Sequence, residues 1–180
     1  MAGDLDGAVT LVLRTFGPEV LGFMLALTRE HAAAGDAFSE FSIDVWRGLP
    51  GFAWRAALRT WLYVLARRAV ARVKRGGPRA PHVPLSQTSE ISRIALEIRD
   101  ASLARLEAMH DAVANLRAQL DEEEQVILVL RVDRDMGWRE IALVLAPDDG
   151  GDADVDRIAA TLRKRFERIK ARIRDLARTP

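Results

Sequence analysis

The sequence predicts an all-α chain of two small helical domains, and three observations predict it. Apolar residues recur at the 3-4 spacing of a helix in segment after segment, while the alternation of a half-buried strand is weak throughout. The stretch GGPRAPHVPLSQTS at 76–89 holds three prolines and a Gly-Gly pair, which cannot continue a helix, so it reads as a partly extended linker. The chain has 180 residues, 49% of them hydrophobic, enough for one domain or two small ones with packed cores. The expected division is a domain over 1–75, a linker over 76–101 and a domain over 102–180.

In the first part, Val9, Val12, Leu13, Phe16, Val20, Met24 and Leu27 keep helical spacing. Gly17-Pro18 interrupts them, a place where a helix can restart with Pro in its first turn. Ala32 to Arg47 reads as a second helix burying Phe38, Phe41, Val45 and Trp46, with Asp36, Glu40 and Asp44 as an acidic stripe on another face. Gly48-Leu49-Pro50-Gly51 breaks the chain. From Phe52 to Arg75 there are seven bases and no acid, and Leu58, Trp61, Leu62, Leu65, Ala69 and Val73 share one arc. Solvated helices usually mix signs, because opposite charges at i,i+4 stabilise them. A one-sign face carrying an aromatic side chain, Tyr63, suits a polyanion whose bases can stack. The other reading is a basic helix that pairs with acids elsewhere in the fold.

In the second part, Leu103, Leu106, His110, Val113 and Leu120 suggest one helix. Asp121 to Glu124 offers a capping box for the next, Glu122 to Val132. Trp138 to Leu145 is short. A long helix runs from about Asp154 to Leu176, lined by Ile158, Leu162, Phe166, Ile169, Ile173 and Leu176. Arg157 to Arg178 carries nine bases against Glu167 and Asp175. A short helix, a connection and a basic helix with a continuous apolar face outline a helix-turn-helix; a solvated bundle helix is the alternative.

Net charge is only +1, so its placement says more than its total: residues 1–51 carry seven acids against three bases. No cysteine means no disulfide framework and no thiolate metal site, which suits a reducing cytoplasm. No signal peptide and no uninterrupted apolar run of membrane-spanning length are read. His31, His82 and His110 lack metal-ligand spacing, Gly76-Gly77 is no Walker loop, and Glu122-Glu123-Glu124 marks a helix start rather than an acid/base pair. A calcium loop on Asp152, Asp154 and Asp156 fails, because its sixth position is Arg157 and its twelfth Arg163. No catalytic residue, metal or cofactor is expected.

Two runs carry a family resemblance. AFSEFSIDVWRGLPGFAWRAALRTWLYVLARRAVARVKR resembles the part of bacterial sigma-70 factors of extracytoplasmic-function type that binds core polymerase and opens the −10 element. LDEEEQVILVLR, WREIALVL and TLRKRFERIKARI, in that order, resemble the −35-reading domain, with Glu140-Ile141-Ala142 the most specific triplet. The resemblance implies a region 2-like bundle and a region 4-like helix-turn-helix domain, with core RNA polymerase and promoter DNA as partners. It leaves open an anti-sigma factor or a Ser/Thr kinase as regulator. It places Asp36, Glu40, Asp44 and Arg47 at the polymerase, and Gly48 to Arg55 on a loop that captures an unstacked base. Trp54, Arg55, Arg59, Tyr63, Arg67 and Arg68 fall beside the −10 strand, and Thr161, Arg163, Lys164, Arg165 and Arg168 on the −35 recognition segment. Trp61, on the apolar arc, reads as core first; Tyr63 reads as exposed. A stand-alone helix-turn-helix regulator with an N-terminal partner-binding domain is the rival function.

The chain departs from the family twice. Ala33-Ala34-Gly35-Asp36 stands where an acidic cluster is usual, which should weaken docking to a basic polymerase surface. Phosphorylation of Thr28, Ser39 or Ser42 would restore charge, each phosphate adding about −1.5 to −2. The second departure is the fifteen residues between Leu145 and Thr161, where a helix-turn-helix turn normally has about three or four. Part of the excess must be loop or an added helical turn, and Asp152, Asp154 and Asp156 suit a helix start.

Overall fold

The computed structural model describes residues 2–76, 91–101, 119–146 and 152–178, and every regular element among them is helical. The chain forms two compact units, Met1–Met109 and His110–Pro180.

In the first unit, α1 (Ala2–Thr28) runs unbroken through Pro18 rather than restarting there. Gly17 is where two neighbours come close: a Cβ on it would lie 3.2 Å from both Phe38 Cζ and Ile98 Cγ2. Leu5–Thr28 is long and apolar enough to cross a membrane by length and composition, although Asp6, Arg14 and Glu19 interrupt its apolar run. Here its apolar side is taken up by the core, with Val9, Leu13, Val20, Leu21, Phe23 and Met24 fully buried. Arg29, at φ 57°, ends the helix, and α2 (His31–Gly48) follows from an extended Glu30. Phe38, Phe41 and Val45 are buried as expected, while the half-buried Trp46 donates from Nε1 to Asp6 at 3.0 Å. A 3-10 turn, Leu49–Gly51, leads through a loop to α3 (Leu58–Lys74), which packs on both α1 and α2. Contact on two sides widens its buried face beyond the expected arc to Thr60, Tyr63, Ala66 and Val70.

Residues 91–101, assigned from sequence to the linker, are helical and belong to the first unit (α4). Ile91, Ile94 and Ala95 are buried, Ile98 meets Gly17, and the Arg99 alkyl chain lies over Gly35. The spacing Ile91, Ile94, Ala95, Ile98 is that of one helical face.

In the second unit, α5 (Glu122–Leu128) opens with the expected capping box: Asp121 Oδ1 accepts from the Glu124 N–H at 2.8 Å, and Glu124 Oε2 accepts from the Asp121 N–H at 3.1 Å. Its end widens into a π turn over Val129–Asp133. The helix α6 spans Trp138–Leu145, as expected, and Glu140 Oε2 accepts from the Gly137 N–H at 2.7 Å while Ile141 and Ala142 are fully buried. The triplet Glu140-Ile141-Ala142 thus caps and anchors this helix. α7 (Asp152–Arg178) packs on α5 and α6 through Val155, Ala159, Leu162 and Ile169, all buried. The helix expected through Leu103, Leu106, His110 and Val113 lies outside the described residues.

Candidate nucleic-acid interface

The loop between the 3-10 turn and α3 builds a stack of three rings. Trp61, on α3, lies against Gly48, where a Cβ would be only 2.8 Å from its Cζ2. Phe52 packs on Trp61 with centroids 5.0 Å apart, and Trp54 packs on Phe52 at 4.8 Å. Trp54 ends the stack 74% exposed and at φ 55°. A bulky residue in the left-handed region stores strain of about 1–3 kcal/mol, which surrounding contacts must hold in place. An outward indole backed by two rings is a stacking platform for a flat partner such as a base. Arg55 beside it is exposed, as are Arg67 and Arg68 on α3.

Other residues assigned to this surface point elsewhere. Tyr63, expected exposed, is fully buried and meets Phe23 edge-on at 5.0 Å, because the contact with α1 claims that side of α3. Arg59 is forked onto Glu19 of α1, Nε at 2.9 Å and Nη2 at 3.2 Å. The hydrogen bond to Glu19 raises its pKa above the usual guanidinium value, against a smaller opposing effect of burial. Arg72 of α3 pairs with Asp44 and comes within 3.9 Å of Glu40, which is only 8% exposed. The acidic stripe is therefore split: Asp36 is exposed, whereas Glu40 and Asp44 turn toward α3. Pairing with acids of other helices therefore accounts for Arg59 and Arg72, while Arg67 and Arg68 stay exposed.

In the second unit, α7 presents Thr161, Arg163, Lys164 and Arg168 to solvent. Thr161 does not begin the helix: α7 starts nine residues earlier at Asp152, so the extra residues extend its N-terminal end. Arg139 of α6 pairs with Asp156 on that extension. Arg165 turns inward, 3.3 Å from Asp121 and also paired with Glu123. Burial works against its charge, yet the bond to Glu123 and the charges of Glu123, Asp121 and Glu124 outweigh this and raise its pKa. Arg172 likewise reaches Glu124 at 3.0 Å. Trp138 meets Phe166 edge-on at 5.3 Å and carries the Arg131 guanidinium 5.2 Å from its centroid, tying α5, α6 and α7 together.

Comparison with known proteins bears on the first unit most directly. Residues 12–77 match the family described as sigma-70 region 2, a span that contains α2, the ring stack and α3. The chain is also 21% identical over 132 residues to the RNA polymerase sigma factor YlaC of Bacillus subtilis strain 168, covering 73% of this chain and 76% of that protein. Residues 12–77 thus carry a sigma-70 region 2 domain. No solved structure matches.

Of the chain's polymerase-contact candidates, Asp36 and Arg47 are exposed. Of its phosphorylation candidates, Ser42 is 1% exposed with its hydroxyl donating to the Phe38 carbonyl at 2.9 Å, so a kinase cannot reach it in this fold. Ser39 is exposed and Thr28 half-buried; each hydroxyl donates back to a helix carbonyl, Gly35 and Met24 respectively. Sequence reasoning missed Glu19 and Arg72 as partners, since each meets its opposite charge on another helix. It placed Phe52 within the Gly48 to Arg55 loop but gave it no role of its own, although an aromatic two residues before Trp54 was the available signal.

Proposed function

We propose that the chain is a bacterial sigma-70 factor of extracytoplasmic-function type, which docks on core RNA polymerase through the α2 face around Asp36 and Arg47 and opens the −10 element with the first unit. The second unit reads the −35 element through a region 4-like helix-turn-helix, in which α6 is the first helix and α7 the recognition helix. The single observation that carries the reading is the strained, outward Trp54 on its Phe52–Trp61 backing, flanked by exposed arginines. A flipped base of the non-template strand stacks on Trp54 while Arg55, Arg67 and Arg68 hold phosphates, a division between reading and positioning common to nucleic-acid sites. On α7, Arg163, Lys164 and Arg168 meet the duplex; Arg165 braces the unit instead. The polymerase carries out the chemistry, in the cytoplasm, and the factor supplies the address.

The test is run-off transcription with core enzyme on a randomised promoter pool. Specific transcripts should appear only with the factor present, and Trp54→Ala should lose promoter opening while keeping core binding. Tight promoter binding without polymerase, and no transcripts with it, would instead mark a stand-alone regulator.

A further inference from the structure

We propose that Glu19 is a positioning residue for promoter opening. Its carboxylate holds Arg59, and through Arg59 the first turn of α3, so that the Phe52–Ala57 loop presents the Trp54 ring outward. The proposal rests on the base-capture reading above.

α3 starts without local support. Its N-cap residue is Ala57, which offers no capping side chain, and its first turn contains no acid. Helix N-termini favour negative charge, yet Arg59 puts a cation there. The missing negative charge comes from forty residues away in sequence: Glu19 accepts two bonds from the Arg59 fork, the strongest common geometry for this pair. The guanidinium also lies 5.9 Å from the ring centroid of Tyr63, which is itself wedged against Phe23 of α1. Arg59 is thus clamped between α1 and α3. The loop that ends at this turn contains the left-handed Trp54, a conformation that only its surroundings can maintain. A drift of the first turn would move Trp61, and with it the backing of Phe52 and Trp54.

The experiment uses the full chain carrying 5-fluorotryptophan, with the Trp54 resonance assigned from Trp54→Phe. Fluorine spectra are compared for wild type, Glu19→Gln, Glu19→Asp and the charge-swapped pair Glu19→Arg with Arg59→Glu. Each is also assembled with core polymerase and titrated with forked duplexes whose single-stranded non-template end is randomised. Glu19→Gln should move the Trp54 line and weaken fork binding roughly fivefold, the scale of one charge-assisted hydrogen bond in a half-exposed setting, with core affinity unchanged. The swapped pair should restore both, because the clamp re-forms without a cation at position 59. An unmoved Trp54 line in Glu19→Gln overturns the proposal. So does a swapped pair that regains the line position but not fork binding, since Arg59 then touches DNA itself. Should Glu19→Gln fail to fold by circular dichroism, Glu19→Asp makes the same comparison with a shorter arm. If wild-type holoenzyme retains no fork, the base-capture reading is lost, and the fluorine lines alone decide whether Glu19 sets the position of Trp54.

Discussion

Replacing Gly48 with alanine should destabilise the first unit, although it removes a glycine from a helix. In a helix interior that exchange normally gains about 0.5–1 kcal/mol, and less at a terminal position. Gly48 is the last residue of α2. Against that gain, the new Cβ would sit 2.8 Å from Trp61 Cζ2 and 3.4 Å from Cη2. Carbon atoms rest at about 3.5–4.0 Å, so the indole must retreat by roughly 1 Å. It is a rigid disc with Phe52 packed on it at 5.0 Å, and it has no free rotor to absorb the shift. Overpacking of this kind costs about 1–3 kcal/mol, which leaves a net loss near 1 kcal/mol and lowers Tm by about 4–8 °C for a unit of this size. Thermal unfolding followed by tryptophan emission reads it, because Trp46, Trp54 and Trp61 all lie in the first unit. In a Trp61→Phe background the clashing ring atoms are gone, so Gly48→Ala should become neutral or stabilising, a coupling of about 1 kcal/mol. A Gly48→Ala protein that melts at or above wild type with Trp61 in place would refute the account of the stack.

Arg72→Ala should cost about 2–3 kcal/mol in urea unfolding, because the mostly buried Glu40 loses its guanidinium, and Glu40→Gln in the same background should recover part of it. An unchanged urea midpoint would mean that solvent already screens the pair. Asp121→Ala should cost the second unit about 1 kcal/mol by removing the capping box of α5, read by guanidinium unfolding. Lys164→Ala and Arg168→Ala should each reduce the salt slope of promoter binding by about one, at constant stability. Arg165→Ala should lower stability first, because its partners are Asp121 and Glu123 rather than phosphate; equal effects of all three on the slope would return Arg165 to the DNA surface.

Much of the architecture was readable because it follows from local pattern. The capping box at Asp121–Glu124 and the bounds of α6 at Trp138–Leu145 are encoded within a few residues of where they act. The helix over 91–101 carries its own signal in Ile91, Ile94, Ala95 and Ile98, but the prolines just before it drew the linker too far. Gly17-Pro18 misled in the opposite direction. A Pro inside a helix loses one hydrogen bond, and that local penalty is outweighed where both flanking turns are packed. Among the site residues, Trp54, Arg55, Arg67 and Arg68 are exposed, while Tyr63, expected exposed, is buried, because a helix gripped from two sides has no single apolar arc.

The sequence by itself determined that the chain is helical, where its charge is concentrated, and which family it resembles, since periodicity, composition and motif order are properties of the linear chain. Only the tertiary structure decided which cations are available. Arg59, Arg72 and Arg165 meet Glu19, Asp44 and Asp121 across helix boundaries, 40, 28 and 44 residues apart in sequence. A charge pattern along one helix cannot report the acid that a neighbouring helix brings to it, because Coulomb attraction depends on distance in space and not on distance along the chain.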